Sequence, residues 1–225
     1  KKSNQMAILA SGTFANWACV IIFFLLLWGF FSLTFTASGS VFNIYAFSVL
    51  NKSSIDSTGQ NIFINFNSGM NLTEVSSENK TYFVDASALK SGNENLIAFD
   101  DTPAIRAGLN GIIIGINNVS IKDNQDLRKE LLKYKPGDEI IIQTLQSADK
   151  KENRNYSLVL GKNPSNESMP YLGIANLQQS TSLIGKIRSQ LSFFKDANRY
   201  YAPKFNYELI IFIYNLLWWI ILINF

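Results

Sequence analysis

The chain has 225 residues, 47% of them hydrophobic, and its 20 Lys and Arg against 17 Asp and Glu leave a formal charge of only +3. So small a charge excludes the strongly basic face of an electrostatic nucleic-acid binder, and no nucleic-acid partner is expected. The sequence contains no histidine, which excludes a His-x-x-x-His zinc site, a Ser-His-Asp triad and a Cys-His pair within these residues. Its single cysteine, Cys19, excludes an intrachain disulfide.

Along the chain, residues 1–35 carry the first apolar run. Phe14 to Phe35 holds no charged residue. A helix of that length reaches about 33 Å, enough for a hydrocarbon core of about 30 Å. A signal peptide is the competing reading, but its apolar region is shorter, roughly 7–15 residues. A transmembrane helix is therefore expected. Within it Gly12, Asn16 and Cys19 share a helical face, small or polar among bulky neighbours. Such a face suits close helix approach and an interhelical amide hydrogen bond; an interfacial Asn near the end of the span is the alternative. Lys1 and Lys2 favour a cytoplasmic start. Position 1 is Lys and the chain stops inside an apolar run, so an internal piece of a larger protein is expected.

Residues 36–88 are polar and asparagine-rich, with short strand-like stretches at 61–66 and 81–84. They are expected to form a loose β-rich extracytoplasmic insert. Six glycosylation sequons, beginning at Asn51, Asn71, Asn79, Asn118, Asn155 and Asn166, lean toward an external location.

Residues 89–175 are better ordered. A strand is expected at 95–99. A short helix follows, with Pro103 in its first turn and Gly108 at its end. Gly111 to Asn117 reads as a buried strand, and Asn117-Asn118 as a turn. Asp123 is placed to cap a helix over 124–134, on which Leu127, Leu131 and Tyr134 share a face. Lys135-Pro-Gly-Asp138 reads as a turn before strands at 139–145 and 156–160, with 148–154 as a hairpin loop.

This order resembles a PDZ domain of the kind found in bacterial and archaeal proteases. Thr102-Pro-Ala-Ile-Arg-Ala-Gly-Leu109 is similar to their SPAxxAGL segment. Gly111-Ile-Ile-Ile-Gly-Ile-Asn-Asn118 is similar to their GDxIxxING strand, with Ile112 in place of Asp. The resemblance implies a small β-barrel-like domain that takes a peptide as an added strand beside a helix. The groove is expected between Leu96, Ile97, Ala98 and Phe99 on one side and Leu127, Arg128 and Leu131 on the other, with the loop 91–95 offering backbone amides to a terminal carboxylate.

Residues 176–208 contain an amphipathic stretch, 183–195, with Ile184, Ile187, Leu191 and Phe194 on one face. A helix on the membrane surface and a helix packed on the middle domain are both compatible with it. Residues 209–225 carry no charge and are expected to begin a second transmembrane helix. The fold class expected for the whole is mixed: membrane α-helices flanking a soluble α+β domain.

Ser11-Gly-Thr-Phe-Ala-Asn16 resembles the GPxAN opening of a core helix in site-2 proteases, the intramembrane zinc metalloproteases, with Thr13 in place of the frequent Pro. Pro170-Tyr-Leu-Gly-Ile174 resembles the GYIGV stretch that closes the PDZ region in archaeal members. The resemblance implies a zinc metalloendopeptidase acting on membrane-spanning substrates. It also implies that the HExxH and LDG motifs holding Zn2+ lie outside these residues, with Gly12 and Asn16 positioning substrate in the membrane. No catalytic residue and no metal ligand is assigned within 1–225. A membrane-anchored, non-catalytic PDZ scaffold protein is the alternative.

Overall fold

The computed structural model describes residues 2–64, 69–147, 152–175 and 198–224. The elements, in chain order, are α1 (Lys2–Thr34), β1 (Phe35–Ser40), β2 (Ile44–Tyr45), β3 (Phe47–Asn51), β4 (Ser57–Ile64), β5 (Met70–Ser77), β6 (Lys80–Asp85), α2 (Ala86–Lys90), β7 (Asn95–Asp100), α3 (Pro103–Arg106), β8 (Ile112–Ile116), β9 (Val119–Ser120), α4 (Asn124–Leu131), β10 (Glu139–Ser147), β11 (Glu152–Val159), β12 (Gly161–Asn163), β13 (Asn166–Tyr171), β14 (Ile174–Ala175), β15 (Arg199–Pro203) and α5 (Tyr207–Asn224). They fall into two compact units, one built on the terminal helices and one on the stretch that begins at Ser38 and reaches Tyr200.

In the helical unit, α1 and α5 are long and apolar enough to cross a membrane over Ser11–Thr34 and Tyr207–Asn224. They pack together through a few large side chains: Leu27, Phe31, Ile210 and Ile221 are buried. At one end of the pair the Lys204 N–H donates to the Thr34 carbonyl at 2.8 Å. The Phe31 ring stacks on Phe35 at 4.9 Å and meets Tyr201 edge-on at 5.7 Å. The Asn206 side chain accepts from the Leu209 N–H and so caps the start of α5. Most of the remaining apolar surface points outward, as at Phe14, Trp17, Trp28, Phe212 and Trp219.

The second unit is sheet-rich. One sheet runs in the order β11-β10-β8-β1-β15, with β9 folded back on β8. A second runs β3-β7-β6-β5-β4, entirely antiparallel. Two smaller pairs, β12 with β13 and β14 with β2, complete the unit. No sheet closes on itself among the described residues, so open sheets replace the expected barrel.

Local sequence explains most of these elements. Pro103 opens α3, and Gly108 ends it at φ +60°. Asn117 and Asn118 both sit at positive φ in the turn from β8 to β9, which suits their short polar side chains. The side chain of Asp123 accepts the N–H groups of Gln125 and Asp126, at 2.9 and 3.0 Å, to start α4.

Two expectations change. Residues 36–88 are not a loose insert. They supply β3, β4, β5 and β6, four strands of the second sheet, and β7 from the later segment completes it. One core joins both halves, with Phe42, Tyr45, Leu72 and Phe83 from the early segment against Phe99, Ile105, Leu109, Ile113 and Ile142 from the later one. A boundary at 88/89 would cut through this core. The alternation in 36–88 is short and interrupted by Ser, Asn and Gly, but pairing supplies what local pattern lacks. The second change is the end of α4, at Leu131 rather than Tyr134. The expected amphipathic stretch 183–195 lies outside the described residues, as do residues 148–151 of the expected hairpin loop.

Candidate functional site

A strand accepts an added peptide only along an edge whose N–H and C=O groups are not already paired. On that criterion β7 is closed. Its residues Leu96, Ile97, Ala98 and Phe99 pair with Leu50, Val49, Ser48 and Phe47 of β3. On its other edge Phe99 and Ala98 pair with Phe83 and Val84 of β6. Leu96, Ala98 and Phe99 are buried side chains of the core. Ile97 is 52% exposed, but it lies opposite Val49 on an interior strand. The groove expected between β7 and α4 is therefore absent, because β3 occupies the edge it needs. The loop 91–95 lies beside Asn51, Lys52 and Ser53, and the Lys52 ammonium donates to the Ser91 carbonyl at 3.0 Å.

A groove does lie along α4, with a different opposite wall. Asn124, Leu127, Arg128 and Leu131 form the helical side, and Asn163, Met169, Pro170, Ile174 and Ala175 form the other. The cavity measures about 480 Å³. The helical four share one face by their spacing of three and four residues. Thus Leu127, Arg128 and Leu131 stand where the sequence placed them, facing β13 and β14 instead of β7.

β14 is short and open. Ile174 and Ala175 pair with Tyr45 and Ile44 of β2 on one edge, and no strand covers the other edge among the described residues. Gly173 lets the chain turn into β14. Its φ is +85°, and a Cβ there would fall 2.1 Å from the Thr102 Cβ, so only glycine fits. The Gly173 carbonyl accepts from the Ala46 N–H at 2.9 Å, and the Leu172 carbonyl from the Ala104 N–H at 2.9 Å. These bonds fix the open strand to β2 and α3. Beneath it Tyr45 is fully buried and donates to the Leu109 carbonyl at 2.7 Å. Burial pushes its phenol well above the ordinary range, so it stays neutral and keeps that proton to donate.

The other wall is held just as firmly. Leu127 is buried in the core and anchors α4. Asp123 caps the helix and pairs with Arg199 of β15 at 2.7 Å. The Asp126 backbone amide, helped by Arg199 and the Gln125 amide, holds the Asp123 carboxyl below the usual carboxylate range, against some opposing desolvation. Asn124 accepts from the Ser40 hydroxyl at 2.9 Å. The site is thus a fixed apolar slot with an unfilled strand edge, suited to binding an extended chain; no arrangement for acid–base or nucleophilic chemistry accompanies it.

Gly12 and Asn16 lie on an open side of α1. Nothing stands within 4 Å of a Cβ built on Gly12, and Asn16 is exposed. Asn215 on α5 is also exposed and went unremarked in the sequence, although an amide about 12 Å into an apolar helix is its own signal. No cluster of three His, Cys, Asp or Glu side chains occurs among the described residues, and Cys19 is in α1. With no histidine to add, these residues do not fit a catalytic zinc ion.

No protein-family model matches the chain, and no curated protein matches it.

Proposed function

We propose that this chain is the membrane-anchored, peptide-sensing part of a site-2-protease-like intramembrane zinc metalloendopeptidase, with a PDZ-like domain held outside the cytoplasm between two transmembrane helices. The single observation that carries the reading is the slot beside α4, bounded by the open edge of β14. A polypeptide entering it would extend the β14–β2 pair by main-chain hydrogen bonds. Its alternate side chains would fill the space between Leu127, Leu131, Met169 and Ile174. Segments of membrane proteins exposed near the bilayer are the ligands such a module screens.

The helical unit supports the membrane half of the reading. The most apolar windows of α1 and α5 are only 17% and 11% buried, which is unlike the core helices of a water-soluble protein. The bilayer would cover this surface. The open side bearing Gly12 and Asn16 leaves room for a substrate helix to approach closely and bond to the amide. The zinc ligands and general base belong, in this proposal, to HExxH and LDG motifs that the 225 residues do not contain. No catalytic step is therefore assigned to these side chains.

The test is cleavage of a single-span reporter by the product of the complete reading frame in proteoliposomes. Cleavage within the membrane that stops on metal chelation, and slows in Asn16→Ala without loss of fold, is the expected result. Peptide binding with no cleavage would overturn the protease reading in favour of a membrane-anchored PDZ scaffold. An absence of both would overturn the proposal entirely.

A further inference from the structure

The walls of the groove are apolar or neutral at every position but one. Arg128, on α4, is the only charged residue lining it. The acids near Arg128 on the same helix are engaged elsewhere. Asp123 pairs with Arg199 at 2.7 Å. Asp126 accepts the Lys122 N–H at 3.3 Å. Glu130 is buried and pairs with Lys133 at 2.5 Å. Arg128 itself is exposed and makes no hydrogen bond or ion pair. A guanidinium presents five donors in a planar fork that matches a carboxylate with two parallel bonds. Held at the rim of an apolar slot, it provides one charge-selective contact to whatever lies along β14.

We infer that Arg128 makes this groove selective for extended peptides that carry a carboxylate, from an acidic side chain or from a free C-terminus, flanked by small or branched apolar residues. The inference rests on the peptide-binding reading of the same groove. The apolar walls supply affinity by covering surface, while the single cation supplies discrimination against neutral and basic sequences. The contact is solvent-accessible, so its contribution is modest and falls with added salt.

The experiment uses the full chain in lipid nanodiscs and four fluorescent ten-residue probes built on an alternating Val/Ala sequence. One has an internal Glu and a free C-terminus, one an internal Gln and a free C-terminus, one an internal Glu and an amidated C-terminus, and one neither carboxylate. Binding is read by anisotropy at low and high salt. The neutral probe is expected to bind about three- to tenfold more weakly than the best carboxylate probe. Arg128→Gln should abolish that difference, Arg128→Lys should retain part of it, and Arg128→Glu should reverse it. The two singly charged probes show which carboxylate is used. Equal binding of all probes, or a preference that survives Arg128→Gln, would overturn the inference. Ala175→Trp, which fills the slot, separates the two levels. If it removes binding while Arg128→Gln has no effect, only the carboxylate selectivity fails. If Ala175→Trp changes nothing, or no probe binds at millimolar concentration, the groove reading fails and the selectivity with it.

Discussion

β7 and β14 are both strands on the same scaffold, and they differ in what remains to be paired. β7 lies inside a five-stranded sheet, with β3 and β6 using both edges and its side chains packed in the core. β14 is two residues long, is paired on one edge to β2, and borders the slot along α4. The longer and more regular strand therefore stabilises the fold, and the shorter one is left open for a ligand. Regularity in a sequence reports the capacity to pair; it does not report whether that capacity is already used.

The largest effect that would sharpen this contrast is expected from Ala98→Asp. Ala98 is completely buried between β3 and β6, so the substitution introduces an unpaired carboxylate into the core. A loss of at least about 3 kcal/mol is expected, seen as collapse of the thermal transition or immediate proteolysis of the sheet-rich unit. Near-normal unfolding would mean that β7 is more open than described. Gly173→Ala comes next. It combines a φ of +85° with a Cβ driven into Thr102, and should cost about 2–4 kcal/mol while weakening peptide binding through displacement of β14. A variant with unaltered stability and affinity would break the link between Gly173 and the groove.

A smaller effect is expected at the other wall. Asp123→Ala removes the α4 cap and its partner for Arg199, for about 1 kcal/mol. Asp123 titrates below its ordinary value in the folded chain, so its contribution is fully present above the unfolded carboxyl pKa of about 4. It is lost as pH falls through the lower folded value. Stability profiles of wild type and Asp123→Ala should accordingly converge only on the acid side, below about pH 4. Convergence near neutral pH would contradict the capping role. The smallest change belongs to Ile97→Ser. That exposed residue on the closed strand should alter stability by less than about 0.5 kcal/mol and leave peptide affinity unchanged. A clear loss of affinity would return the site to β7.

Much of this was legible beforehand because it is local. Capping by Asp123, the Pro103 start and Gly108 end of α3, the Asn117-Asn118 turn and the two apolar runs all lie within a few residues of their own signals. The helical half of the groove was legible for the same reason, since Leu127, Arg128 and Leu131 follow helical spacing. The other half depends on partners far away in sequence. Nothing near Leu96 announces that Phe47–Asn51 will occupy its edge. Nothing in 36–88 announces that its strands share a core with Ile105 and Ile142. The wall actually used lies in Met169-Pro-Tyr-Leu-Gly-Ile-Ala175, too short for a strand period to register. Its one local mark was Gly173, where positive φ and the press of Thr102 require glycine.

The most direct test is backbone hydrogen exchange of the full chain in nanodiscs, with and without a saturating carboxylate-bearing probe peptide. New protection should appear over β14 and α4, with none added over β7. Protection gained over Asn95–Asp100 and absent at Ile174 and Ala175 would contradict the assignment of the open edge to β14.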